Sequence, residues 1–210
     1  MRYTTRDLRT ALFGVTDIFS GYTPALPLDD QGWGQTSLAF DELLPGRSIR
    51  SVLEIGTWKG ASAIRMAQML PGSELCCVDT WLGQLEFLSA EGEFGGILRP
   101  EFGHPRVYEQ FLANIHHTGL EDRITPLAQT SALACKWLHQ NGFRFDAVYV
   151  DGSHEYPDVV SDVEWSCLLV NPGGLVFGDD YEWQGVRQAV SENEHPHTVC
   201  HDKWVIEMPA

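Results

Sequence analysis

From residue 49 onward, short apolar runs alternate with longer stretches that repeat at helical spacing. The runs "IRSVLEI", "ELCCVD", "RITPLA", "FDAVYVD", "GLVFGDD" and "KWVIEM" predict strands. Between them, "ASAIRMAQML", "PRVYEQFLANIHHTGL", "SALACKWLHQNG", "PDVVSDVEWSCLLVNPGG" and "WQGVRQAVSEN" predict helices. The first closes at Pro71-Gly72, the second near Gly119, and the fourth at Pro172-Gly173-Gly174. Strand–helix alternation with near-continuous apolar strands predicts an α/β fold. Its form is a Rossmann-like, doubly wound, mostly parallel sheet with helices on both faces. Residues 1–48 read as a helical leader packing on that core, carrying "RDLRTALFGVTDIF" and "QTSLAFDELL" as helices. Residues 49–210 form the main body of a single-domain chain. The stretch 84–104 breaks the alternation with glycines, aromatics and no period, and is read as a lid or as a contact in a homodimer.

The polar residues that end these runs mark where chemistry belongs. Glu54 lies at the end of the first strand, and Asp79, Asp151, Asp179 and Asp180 follow the later ones. In an open parallel sheet, ligands bind at the carboxyl ends of the strands. The first turn, "EIGTWKG", places Gly56 and Gly60 four positions apart around Thr57 and Trp58. A permissive backbone there, followed by a helix N-terminus, suits a carboxylate or a phosphate. The turn lacks the third glycine of G-x-G-x-x-G and the Lys-Ser/Thr pair of a P-loop. Asp79 ends the second strand, where an acid can accept both hydroxyls of a ribose. A nucleoside carrying an anionic group fits both features, and S-adenosylmethionine combines ribose with a carboxylate.

Charge narrows the partners. With 14 Lys plus Arg against 29 Asp plus Glu, the chain carries a formal charge of −15, which disfavours nucleic acid and anionic membranes. Five scattered cysteines suit neither a complete disulfide framework nor a zinc site, so a reducing cytoplasmic setting is expected. The N-terminus lacks a signal-type apolar stretch, and no segment approaches the ~20 apolar residues of a membrane span.

The segments "VLEIGTWKGASAIRMAQMLPGSELCCVD", "YVDGSHEY" and "GGLVFGDDYEWQGVRQAV" resemble class I S-adenosylmethionine-dependent methyltransferases. Their texture is similar to the metal-dependent catechol and macrolide-sugar O-methyltransferase group, over roughly residues 49–190. The resemblance implies a seven-stranded sheet with the last strand antiparallel; the sixth strand would fall near "HTVC", where no apolar run is visible. It also implies that Glu54, Gly56, Thr57, Trp58 and Gly60 shape the cofactor turn. Ser62 would bond the methionine carboxylate and Asp79 the ribose. Thr80, Trp81 and Ser131 would lie beside the adenine, and Asp151 would border the cofactor. The acid that such enzymes often carry near Ser131 is missing from "AQTS".

If the fourth and fifth strands are neighbours, Asp151, Asp179 and Asp180 converge and repel one another. A hard divalent cation, Mg²⁺ or similar, would resolve that conflict. The resembled group places acids at those positions. His154, three residues past Asp151, matches the position of its catalytic base, and imidazole can take a hydroxyl proton near neutral pH. The expected activity is therefore methylation of a hydroxyl on a small sugar, diol or catechol-like acceptor, with Asp151 and His154 catalytic. Three alternatives stay open: a metal-independent methyltransferase, a non-catalytic S-adenosylmethionine-binding protein, and a nucleotide-dependent oxidoreductase.

Overall fold

The structure, a computed structural model, describes residues 4–29, 37–88, 91 and 94–210. Its centre is a seven-stranded sheet in the order β3-β2-β1-β4-β5-β7-β6. Strands β1 (Ser51–Ile55), β2 (Glu74–Asp79), β3 (Ile124–Ala128), β4 (Phe145–Val150) and β5 (Val170–Gly178) are parallel. β7 (Lys203–Glu207) inserts antiparallel beside β5, and β6 (Thr198–Cys200) pairs antiparallel with β7 at the edge. The strand order reverses between β1 and β4, which is the switch point where a crevice opens.

Alternation along each strand feeds two cores. α2 (Ser37–Leu43), α3 (Ala61–Met69) and α4 (Val107–His117) cover the face that receives Val52, Cys77, Tyr149 and Phe177. α1 (Thr5–Phe13), α5 (Ser131–Gln140), α6 (Tyr156–Leu169) and α7 (Gln184–Ser191) cover the face that receives Leu53, Cys76, Val148 and Val176. The leader is part of both layers. Leu8 of α1 is fully buried with the second core, and Phe40 of α2 packs edge-on against Tyr149 and Phe177, with ring centroids 5.2 and 5.8 Å apart. Buried Arg9 ties α1 to the start of β3, donating to Thr125 Oγ1 at 3.0 Å and to the Ile124 carbonyl at 2.9 Å.

Two helices stop earlier than their spacing predicts. α1 ends at Phe13, because Gly14 adopts φ 71° and returns its N–H to the Thr10 carbonyl. α6 ends at Leu169, and "VNPGG" belongs to β5 instead. Pro172 has no N–H for a helix interior. The Asn171 amide bonds Asp146 at 3.0 Å, and the Gly173 N–H bonds the Pro209 carbonyl at 2.9 Å. The register shift between Phe145 and Ala147 absorbs the extra residues.

The described part of 84–104 holds a short 3-10 turn, Leu85–Phe87, and a bridge between Glu101 and His104. Phe87 and Leu98 are buried on the first core, and the Phe87 ring lies 5.0 Å from that of Trp58. This segment thus sits against the β1–α3 turn. Trp33, another aromatic near a glycine pair, lies outside the described residues. Among the described residues, no helix is long and apolar enough to cross a membrane.

Candidate active site

The β1–α3 turn is built by close backbone approach. Gly56 has φ 83°, and a Cβ there would stand 2.0 Å from the Asp151 carbonyl oxygen, so only glycine lets β1 and β4 end side by side. Gly60 precedes α3 at φ 88° and supplies no side-chain cap, which leaves the N-terminal amides of a nine-residue helix to a ligand. Glu54 points into this turn from β1 and is fully buried. The hydroxyls of Thr57 and Ser62 both donate to it, and the Cys77 thiol lies 3.5 Å away. Burial pushes the Glu54 carboxyl up to about 7 against the pull of those hydroxyl donors. Ser62, expected on the methionine carboxylate, spends its hydroxyl proton on Glu54 instead.

Asp79 ends β2 half-buried. Its carboxylate accepts the Trp58 N–H at 2.8 Å and the Trp81 N–H at 2.7 Å, with further backbone donors from Thr57 and Thr80. Burial raises its pKa while those donors lower it. The carboxylate is therefore fixed at the crevice mouth by backbone donors. Thr80 turns its hydroxyl to the Leu82 N–H at 3.2 Å. Trp81 departs from expectation: its ring is 1% exposed, packs at a tilt against Tyr108 and Phe111, and donates to the Trp58 carbonyl at 2.7 Å. The aromatic belongs to the core and is not open to an adenine. Ser131 opens α5 just after the Thr130 cap. It bonds Asp162 of α6, which burial pushes up to about 6 and whose Oδ1 has no partner. Asp162 supplies an acid near this point that "AQTS" lacks, from an element distant in sequence.

The β4 and β5 tips converge as expected. The Asp151 N–H bonds the Ile55 carbonyl at 2.7 Å, and the Asp179 N–H bonds the Val150 carbonyl at 3.0 Å. The Tyr149 hydroxyl lies 3.3 Å from Asp151 Oδ2 and 3.1 Å from Asp179 Oδ2. Burial and the charge of Asp179 push the Asp151 carboxyl well above the usual range. Asp180 takes φ 59° and accepts from His154, Nε2 to Oδ2, at 2.7 Å. The His154 ring stacks on Trp183, with centroids 4.5 Å apart and planes 19° apart. Its Nδ1 is buried without a partner. The bond to Asp180 raises the His154 pKa, and burial opposes it. Gly185 of α7 makes room for this loop, since a Cβ there would stand 2.4 Å from the His154 carbonyl oxygen.

Two groups at this site escape the sequence pattern. Tyr149 reads as one more apolar strand position, yet its hydroxyl bridges two carboxylates. Lys203, at the start of β7, is completely buried; its Nζ lies 2.5 Å from Asp179 Oδ1 and 2.7 Å from Asp202 Oδ2. A lysine opening an otherwise apolar strand is the only signal of it, and locating it needs the β5–β7 register.

These contacts bear on the expected metal. Both oxygens of Asp179 already face donors, Lys203 on one and Tyr149 on the other, and Asp180 holds His154. The cavity that Asp151, His154, Asp179 and Asp180 share with Val186 and Trp204 is about 10 Å³, the room of one water. A hydrated Mg²⁺ needs about six oxygens and keeps several waters. This arrangement does not fit it. Among the described residues, the group of three such side chains with ligand atoms all within 4.8 Å of one another is Glu42 of α2 with Cys200 and His201 of the β6–β7 turn.

The comparisons with known proteins agree with the topology. A family profile described as "Methyltransferase domain" matches residues 53–181, more than half of the sequence. The chain belongs to this methyltransferase-domain family. It has the class I fold, and it is an S-adenosylmethionine-dependent methyltransferase. The O-methyltransferase from Bacillus cereus, solved with S-adenosylhomocysteine, shares 17% identity at a TM-score of 0.58, covering 98% of this chain and 96% of that one. Cofactor-bound Rv0187 from Mycobacterium tuberculosis shares 18% identity at a TM-score of 0.59, with both chains fully covered. The calicheamicin methyltransferase CalS11 shares 12% at 0.54, covering 82% and 76%. At these identities the likeness is one of fold. No curated protein sequence matches the methyltransferase.

Proposed function

We propose that this methyltransferase acts on a hydroxyl of a small molecule such as a sugar, diol or catechol, with His154 as general base. The observation that carries the reading is the Asp180–His154 pair at 2.7 Å, whose second imidazole nitrogen is buried without a partner. S-adenosylmethionine, when bound, supplies a methyl group already activated on a sulfonium. The donor set suits it: the uncapped α3 N-terminus for its carboxylate, Asp79 for its ribose, and Glu54 beneath the turn. The reading assigns its adenine amine to the Ser131–Asp162 pair, in which Asp162 Oδ1 is without a partner.

The chain's own work is alignment and proton removal. The glycine turn and Asp79 fix the donor, and the acceptor oxygen is held in line with the methyl–sulfur bond. Asp180 holds the imidazole so that Nδ1 can take the hydroxyl proton as the oxygen–carbon bond forms. The electron pair of the broken carbon–sulfur bond stays on sulfur. Trp183, stacked on His154 and half-exposed, makes a wall for the acceptor. The β4–β5 acids position this base and border the donor; no metal-assisted step is part of the reading, because Asp179 and Asp180 are already engaged.

The test is acceptor-dependent release of S-adenosylhomocysteine over a panel of phenols, diols and sugars, on wild type and His154→Ala. The reading expects turnover of hydroxyl acceptors and a loss of about 10²-fold or more in kcat for the variant. Binding of S-adenosylhomocysteine should stay near wild type. Label on nitrogen or carbon products alone, or unchanged kcat in the variant, would overturn it.

A further inference from the structure

The completely buried lysine at the acceptor end has no role in the reading above. β7 runs antiparallel to β5 with Gly178 opposite Trp204, so the next pair in register is Asp179 opposite Lys203. Gly178 is required here, since a Cβ would stand 2.3 Å from the Trp204 ring. The ammonium is thereby held against Asp179 at 2.5 Å and Asp202 at 2.7 Å. The Asp180 N–H also bonds Asp179 Oδ1 at 2.8 Å, and Tyr149 takes the other oxygen. The central carboxylate thus faces three donors from the chain itself, two on Oδ1 and, on Oδ2, a Tyr149 hydroxyl that also lies near Asp151. A divalent ion ligated by Asp179 would be brought against the lysine ammonium in a site of low dielectric, where like charges repel strongly. It would also need more room than the water-sized cavity gives.

We propose that Lys203 is the resident cation of the acceptor end: it holds the charge of Asp179 in place of a divalent metal, and the methyltransferase works without one. The inference rests on the methyl-transfer reading. Lys203 is a positioning residue; it keeps Asp179 and Tyr149 fixed so that Asp180 presents His154. The role is distinct from simple stabilisation, because removing the ammonium uncovers three carboxylates at a strand edge, the donor set a hard ion takes.

The experiment combines Mn²⁺ binding, followed by electron paramagnetic resonance, with turnover in chelator and calorimetry of S-adenosylhomocysteine. Wild type is expected to bind no Mn²⁺ at the site, with or without S-adenosylhomocysteine, and to keep full turnover in excess chelator. Lys203→Met is expected to lose about 10-fold or more in kcat. It is also expected to gain an Mn²⁺ signal that Asp180→Asn in the same background removes, an effect that loss of a structural lysine would not produce. If Lys203→Met does not fold, the wild-type measurements still decide. Stoichiometric Mn²⁺ on wild type, abolished by Asp180→Asn, or turnover stopped by chelator, overturns the inference even with cofactor binding intact. Failure of wild type to bind S-adenosylhomocysteine overturns the methyl-transfer reading and this inference with it.

Discussion

Glu54 makes the stability of the fold depend on pH in a direction that can be measured. Its carboxyl is buried beneath the cofactor turn and titrates at about 7 instead of the ordinary 4.5. A raised acid holds its proton in the folded state after the unfolded chain has released it. Its contribution is therefore fully present below pH ~4.5 and is lost as the pH rises through ~7. That gap, at about 1.4 kcal/mol per pH unit, is worth roughly 3 kcal/mol. Glu54→Gln removes the titration with little change of shape, and the Thr57 and Ser62 hydroxyls can bond either end of the amide. Burial also raises Asp79, Asp151 and Asp162, so the stability of either protein alone mixes several groups. The difference between wild type and Glu54→Gln isolates one. Urea denaturation at steps from pH 4.5 to 8 should show wild type losing roughly 3 kcal/mol relative to the variant, most of it below pH ~7. Parallel curves would refute the claim that this acid is buried protonated. A divergence of opposite sign would show it ionised and held by its hydroxyl donors.

Other substitutions test the packing around the site. Gly56→Ala should abolish S-adenosylhomocysteine binding in calorimetry, because its Cβ would meet the Asp151 carbonyl at 2.0 Å; binding near wild type would contradict the turn described. Phe40→Ala should cost about 3–5 kcal/mol in chemical denaturation, since the ring is fully buried on Tyr149 and Phe177. A loss under ~1 kcal/mol would show that the leader helix does not seal that core. Trp183→Ala should raise the acceptor KM with cofactor affinity unchanged, and an unchanged KM would remove this ring from the acceptor wall.

Much of this architecture can be read from local pattern. The apolar runs that end in Glu54, Asp79, Asp151 and Asp179 announce both a parallel sheet and the edge where its ligands gather. The pairing of Gly56 with Gly60 is visible because backbone approach at the first and a positive φ at both favour one residue type. The pattern fails where distant pairing decides. β6 has only three residues, two of them exposed, and so carries no apolar run; it exists because β7 offers it an edge. The end of α6 depends on Pro172 and on a register shift against β4. Trp81 sits at a strand end where an aromatic serves a ligand or a core equally well, and α4 claims it for the core. Lys203 matters most. Three acids at two neighbouring strand ends suggest a metal until the antiparallel register of β7 brings a buried ammonium among them.

The central claim is that one sheet edge holds a methyl donor on the Glu54–Asp79 side and a proton-accepting imidazole on the Asp151–Asp180 side. A crystal structure with S-adenosylhomocysteine tests it most directly. The account expects the ligand carboxylate at the α3 N-terminus, its ribose on Asp79, and its sulfur facing His154 across a gap that one acceptor oxygen fills. A ligand bound elsewhere, or a sulfur turned away from His154 with the imidazole still sealed against Trp183, would contradict it.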